Sequence, residues 1–232
     1  MLSTARRLGP LDFALYALAR LLAKATGGRC RIFRYYFVAQ PVPATVRPAV
    51  ARVPQIAECG PDDRLARQFP RPAAVIAKRY ADGAMCFAAA SGEQFAGFLW
   101  LKREAYDEDE VRCRYVPWPA ERTAWDFDVY VDPAFRMGRL FARLWDTANR
   151  YLRERGVDWS LSRISAFNPE SLQAHARLGL RRLGSATFVC AGRVQLAVLT
   201  MPPFVHLSLS PASRPTVRLR APDATAPIAG AR

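Results

Sequence analysis

Residues 125–156 read WDFDVYVDPAFRMGRLFARLWDTANRYLRERG, and the period of their apolar positions changes once, at the turn around Pro133. Before the turn the period is two. Trp125, Phe127, Val129 and Val131 alternate with Asp126, Asp128 and Tyr130, which predicts a strand carrying both carboxylates on one face. After the turn it is helical, with Leu140, Phe141, Leu144, Trp145, Ala148, Tyr151 and Leu152 forming one broad stripe that stops at Gly156. Arg136, Arg139 and Arg143 crowd the start of this helix, and no acidic residue follows until Asp146. Cations there oppose the macrodipole, whose positive end also presents N–H groups with no intrahelical acceptor. Such a start suits an anion, a phosphate or pyrophosphate, seated on the turn. A solvated basic helix face is the alternative reading of the same arginines.

The flanking segments extend this strand–turn–helix into a mixed fold. Strands are predicted over Arg29–Val42, Ala84–Ala90, Gln94–Ala105, Asp158–Phe167, Ser185–Ala191 and Arg193–Met201, with short helices over Pro61–Phe69, Pro72–Tyr80 and Pro169–Leu178. Ser91–Gly92 joins two of the strands as a hairpin. Asp107–Glu110 reads as an exposed acidic turn. The expected class is therefore α/β (α+β): a mixed, mostly antiparallel central sheet with helices on both faces. Three parts are expected: a basic amphipathic helix within 1–28, the main domain at 29–207, and a disordered Pro/Ala/Arg-rich tail at 208–232.

A net charge of +14 over 232 residues raises the question of nucleic acid. The excess is nearly all arginine, since Lys24, Lys78 and Lys102 are the only lysines. It is also spread from end to end, as a GC-rich bacterial genome encodes on any surface, so nucleic-acid binding is the minority reading. Five cysteines without a C-x-x-C pair, and only His175 and His206, give no metal-ligand spacing. A reduced, cytoplasmic setting follows. Near the N-terminus, Arg6–Arg7 precede an apolar run broken by Asp12, Arg20 and Lys24, too short to span a bilayer. It reads as an amphipathic helix from Leu11 to Ala25 that packs on the domain or lies on a membrane surface through residues 1–28.

The element order from Arg29 to Met201, with two local motifs, resembles the GNAT N-acyltransferase superfamily (the acyl-CoA N-acyltransferase fold). VDPAFRMGRLFARL is similar to that family's pyrophosphate loop, in which an Arg or Gln leads a Gly-rich turn whose amides cradle the phosphates. Arg136 fits the leading position. Arg139 and Phe141 stand where the family has Gly and then Gly or Ala, and Gly138 is one place off, so the loop is degenerate. NPESLQAHARLGL, residues 168–180, resembles the segment where Asn ends a strand and a short helix carries a Tyr four residues before Gly-Phe. Asn168 and Pro169 suit the helix start, Gly179 its end, and His175 occupies the Tyr position.

The resemblance implies acyl transfer, from acetyl-CoA or another acyl-CoA, to a small-molecule or peptide amine by direct attack on the thioester. It implies a donor site made by Val129, Val131, Arg136, Met137, Gly138, Arg139, Leu140 and Asn168, with the strand around Val129–Val131 splayed from the parallel strand at 158–167. It further implies that Asp126 or Asp128 removes the amine proton and that His175 protonates the departing thiolate. Other readings stay open: an Asp128–Arg163 structural ion pair, a half-buried structural His175, or a non-catalytic module binding nucleic acid or an acyl-carrier protein. Tyr115, Trp118 and Trp125 are expected either around the acceptor or in the core.

Overall fold

The computed structural model describes residues 8–45 and 54–223, in two compact units. Arg6–Arg7 and residues 224–232 lie outside the described residues. The fold is mixed α/β with a mostly antiparallel sheet and helices, in agreement with the sequence reading.

One unit comprises Val42–Glu104 and Ala120–Ser160. Its strands β2 (Gln55–Cys59), β3 (Met85–Ser91), β4 (Gln94–Lys102) and β7 (Thr123–Val131) pair antiparallel in the order β7-β4-β3-β2. Helix α2 (Ala73–Ala81) and a 3-10 turn (Arg64–Gln68, capped by the Asp63 carboxylate) cover one face. There Ala66, Phe69 and Ile76 meet Cys86, Ala88, Phe98 and Trp100. Helix α3 (Leu140–Glu154) covers the other face, where Tyr151 meets Phe87 ring to edge at 5.5 Å. The expected helical stripe is the buried one: Leu140, Leu144, Trp145, Ala148 and Leu152.

Ladder register overturns one expectation. Trp100 sits opposite Asp128 but Leu101 opposite Asp126, so Phe127 is an extra residue, a β-bulge. Two-residue alternation breaks there, and Phe127 joins Asp128 and Tyr130 on the Trp100 face. Asp126 and Asp128 therefore face opposite sides of the sheet. Nearby, Gly97 sits so close to β7 that a Cβ would lie 2.6 Å from the Tyr130 carbonyl oxygen. Gly97→Ala should cost about 1–3 kcal/mol by this backbone clash, read by urea unfolding; an unchanged midpoint would show that β4 and β7 can separate freely.

The other unit comprises Met1–Pro41, Ala105–Pro119 and Leu161–Arg232. Its strands β1 (Cys30–Pro41), β8 (Trp159–Ser165), β9 (Arg181–Ala191), β10 (Val194–Leu199) and β11 (Val205–Ser208) follow the order β11-β10-β9-β1-β8. The first strand of the chain is thus inserted between two of the later ones. Helices α1 (Pro10–Ala25) and α4 (Pro169–Ala176) share one face. Asp12 of α1 accepts from Arg34 Nε at 2.7 Å and from the Tyr36 hydroxyl, while Leu172 of α4 packs on Tyr36, Val38 and Ile164. On the opposite face lies a small sheet of β5 (Tyr106–Asp107), β6 (Arg114–Trp118) and β12 (Thr216–Arg220), with Tyr115 edge-on to Phe37.

Strand β12 falls within the tail that the sequence reading leaves disordered. It pairs parallel to β6, and its two apolar residues, Val217 and Leu219, are completely buried. Two well-placed apolar side chains suffice when a ready strand edge supplies the remaining contacts. The acidic run 107–110 is exposed at Asp109 and Glu110, as expected, but not at Glu108. The Glu108 side chain is fully buried and takes Arg163 Nε and Nη2 at 2.8 and 2.7 Å, while Glu110 accepts from Arg163 and from the Tyr35 hydroxyl.

Candidate active site

The bulged strand fixes the two carboxylates in unlike settings. Asp126 is 4% exposed and accepts the Ser160 hydroxyl at 2.5 Å. Asp128 is clamped by two guanidinium groups: Arg71 donates through Nε and Nη2 at 2.8 and 2.7 Å, and Arg79 through Nη1 at 2.8 Å. Arg79 is 8% exposed and lies against the Trp100 and Phe127 rings, 5.3 and 5.1 Å from their centroids. Arg71 lies over Phe98 and Tyr130. Bidentate pairing with guanidinium groups packed on aromatic rings holds the carboxylate in one orientation. The expected Asp128–Arg163 pairing is replaced: Asp128 takes Arg71 and Arg79, and Arg163 takes Glu108 and Glu110. Three N–H donors thus occupy the two oxygens of Asp128.

Beyond Val131 the chain turns in a single 3-10 step. Asp132 caps Pro133–Phe135 by accepting the Ala134 amide at 2.9 Å, and Arg136 Nε donates back to the Val131 carbonyl at 3.1 Å. Arg136, Met137, Gly138 and Arg139 are all exposed, Met137 at 99%. Gly138 is not among the residues with positive φ, so the backbone here does not demand glycine. Arg139 is the N-cap of α3 and makes no side-chain cap, and the first turn contains no acidic residue. Arg143 is directed away, its Nη2 donating to the Pro54 carbonyl at 2.6 Å. Leu140, buried beside Gly97, anchors the helix start. The result is an uncapped helix N-terminus flanked by two exposed cations, the electrostatic complement of an oxyanion.

Val129 and Val131 pair with Leu99 and Gly97 of β4. These residues, the carboxylates and the turn all belong to one unit; Asn168 and His175 belong to the other. There Asn168 caps α4, its Oδ1 accepting the Ser171 amide at 3.1 Å. Gly179 ends the segment at φ +82°, a backbone state that glycine adopts without strain. His175 is 5% exposed, with Nδ1 3.1 Å from Gln40 Oε1, and burial lowers its pKa to about 4. It is therefore a neutral imidazole near pH 7. With the Gln40 oxygen as acceptor, its proton sits on Nδ1 and Nε2 is an acceptor, an arrangement ill suited to protonating a thiolate.

Tyr115 and Trp125 are wholly buried and belong to the core. Trp118 is exposed and lines a surface cavity of about 520 Å³ with Pro202, Pro203, Thr216, Arg218 and Arg220. Arg71, Arg79, Glu108 and Gln40 were not singled out by the sequence. The only signal was a cation, Arg79, on the apolar side of a short helix. Among the described residues no group of His, Cys, Asp or Glu could hold a metal ion, and no helix is long and apolar enough to cross a membrane.

The family model described as "Acetyltransferase (GNAT) family" matches residues 55–180, more than half of the chain. The chain belongs to the GNAT acetyltransferase family. The match runs from β2 to the end of α4 and takes in both carboxylates, the turn, Asn168 and His175, leaving α1, β1 and β9–β12 outside. Among solved structures, a Drosophila protein is similar at 10% identity and a TM-score of 0.50, over 77% of this chain and 57% of its own. A putative GNAT-family acetyltransferase from Novosphingobium aromaticivorans is 20% identical with a TM-score of 0.48, over 68% and 63%. A conserved protein from Staphylococcus epidermidis is 13% identical with a TM-score of 0.48, over 74% and 66%. This chain thus spans less than two thirds of the length of each of these structures. At such identities the likeness concerns the fold alone. No curated protein matches the sequence.

Proposed function

We propose that this GNAT-family chain is an N-acyltransferase that takes an acyl group, acetyl in the simplest case, from a CoA thioester and passes it to an amine. The observation that carries the reading is the uncapped start of α3 inside the family-matched region, with Arg136 and Arg139 exposed beside it and no acid in its first turn. The first-turn amides and the two arginines take the pyrophosphate, and main-chain groups of Val129 and Val131 take the pantetheine arm. The amine lone pair attacks the thioester carbonyl, the C–S bond breaks, and the thiolate leaves. Asp126, which accepts the Ser160 hydroxyl, takes the role of receiving the amine proton, because Asp128 is held by the guanidinium groups of Arg71 and Arg79. His175 then orients its surroundings as a neutral, hydrogen-bonded ring, and solvent protonates the thiolate.

Titration with acetyl-CoA, longer acyl-CoAs and pantetheine, followed by thermal melting, tests the donor site, because a bound ligand raises the melting temperature by mass action. Arg136→Ala with Arg139→Ala should weaken CoA about 10–100-fold, as the loss of one or two charge-assisted contacts does, and leave pantetheine nearly unchanged. No melting shift with any thioester would sink the donor assignment. Equal losses for CoA and pantetheine would remove the phosphate role from the turn.

A further inference from the structure

Among the described residues, the unit that contains α1 leaves one apolar surface exposed on the α1 side of its sheet. Pairing defines that side. Arg34 bonds Asp12 of α1 and Thr187 of β9, Thr187 is opposite Val198, and Val198 is opposite Val205; one register step on, Ile32, Val189, Leu196 and Leu207 form a second row. Directly paired residues share a face. Leu196, Val198, Val205 and Leu207 are 37–60% exposed there, although Gln195, Ala197 and Ser208 on the reverse side are buried. The outermost strand, β11, reads VHLS, without the lysine, glutamate or proline that ordinarily protects an edge.

Helix α1 walls this floor with a second apolar stripe. Its inner residues lie on β1, and Tyr16 meets Phe167, just past β8, at 5.5 Å. Helical spacing then turns Leu11 and Leu18 to the flank opposite Tyr16, and Leu21 outward, opposite the buried Asp12. They are 44–64% exposed. With exposed Ala14 and Ala25 they are spaced 3-4-3-4, the narrow seam by which one helix packs on another, and the two alanines permit close approach. Arg20 and Lys24 stand outside that seam.

We propose that this chain forms a two-fold dimer in which α1 of each copy lies along the other's α1 and over its bare β9–β11 floor. A protruding apolar helix and a vacant, helix-wide apolar floor on the same molecule are self-complementary, as a two-fold interface requires. Seven leucines and valines of wall and floor are 37–64% exposed, and a stable interface of about 800 Å² per partner would cover them all.

Sedimentation velocity of the full chain from low to high micromolar concentration reads the outcome. The expected mass is twice the 25.9 kDa of one chain. Leu18→Glu with Leu21→Glu on the wall, and separately Leu196→Glu with Leu207→Glu on the floor, should each halve it, with circular dichroism confirming folded protein. If a floor variant does not fold, hydrogen exchange of the unaltered chain replaces it, and protection of amides 205–208 should rise with protein concentration. A monomer at all concentrations, a dimer indifferent to both pairs, or exchange independent of concentration overturns the proposal. A monomer that sediments with phosphatidylglycerol vesicles, and loses this on substitution of Leu18 and Leu21, assigns the surface to anionic lipid and overturns the dimer equally.

Discussion

Asp128→Ala should cost about 3–5 kcal/mol of stability, the usual loss when one partner of a buried ion pair is removed and the other stays in place. Arg79 would then lie against Trp100 and Phe127 without the carboxylate that its Nη1 donates to, its side chain only 9% exposed. Arg71, at 31% exposure, can turn to water and should add little. Because the cost arises from the stranded cation, Arg79→Met in the Asp128→Ala background should recover part of it, giving a clear coupling in a double-mutant cycle. Urea unfolding of the four proteins measures this. Additive losses would mean that the guanidinium and carboxylate groups do not depend on each other. The same cycle bears on chemistry, since a structural clamp predicts that Asp128→Asn loses stability before it loses turnover per folded molecule.

Acid should destabilise this protein through His175 by about 2–3 kcal/mol between pH 7 and pH 4.5. Its folded pKa is lowered to about 4 by burial, below the ordinary value of 6.5. The unfolded chain therefore binds the proton first as pH falls. The stabilising contribution is complete above pH 6.5 and is lost progressively as the pH drops toward 4. In His175→Gln that contribution is gone, so the stability difference between the two proteins should shrink toward acid. A difference constant from pH 7 to pH 4.5 would show that the ring is accessible to protons in the folded state. The pH dependence of turnover is a separate readout: a neutral, positioning His175 predicts no loss of rate on raising the pH through 6.5.

Much of the architecture was legible because side-chain period is a local property. The strand into helix from Trp125 to Gly156, the hairpin at Ser91–Gly92 and the Asn168-capped helix were each written in consecutive residues. What escaped was non-local. No local pattern announces that Phe127 is an extra residue against Trp100 and Leu101, yet that insertion separates the two aspartates that alternation placed together. The partners of Asp128 lie 57 and 49 residues away, on a loop and a helix with no motif of their own. Glu108 reads as solvent-facing because acidic runs usually are, but Arg163 and the amides of Asp109 and Glu110 donate to its buried carboxylate. Val217 and Leu219 were hidden by the proline and arginine around them. At the site, the turn and its cations were visible in advance, whereas the Gln40 oxygen that accepts from His175 Nδ1 was not.

The placement of β1 between β8 and β9 has a cost in time. Phe33 must find Phe188, and Ile32 must find Val189, across most of the chain. Pairings this remote close late and slow the search for the native state. During synthesis IFRYYFVA would wait, sticky and unpaired, until β8 and then β9 had been added, so nascent chains should depend on a holdase far more than the family-matched segment 55–180 suggests.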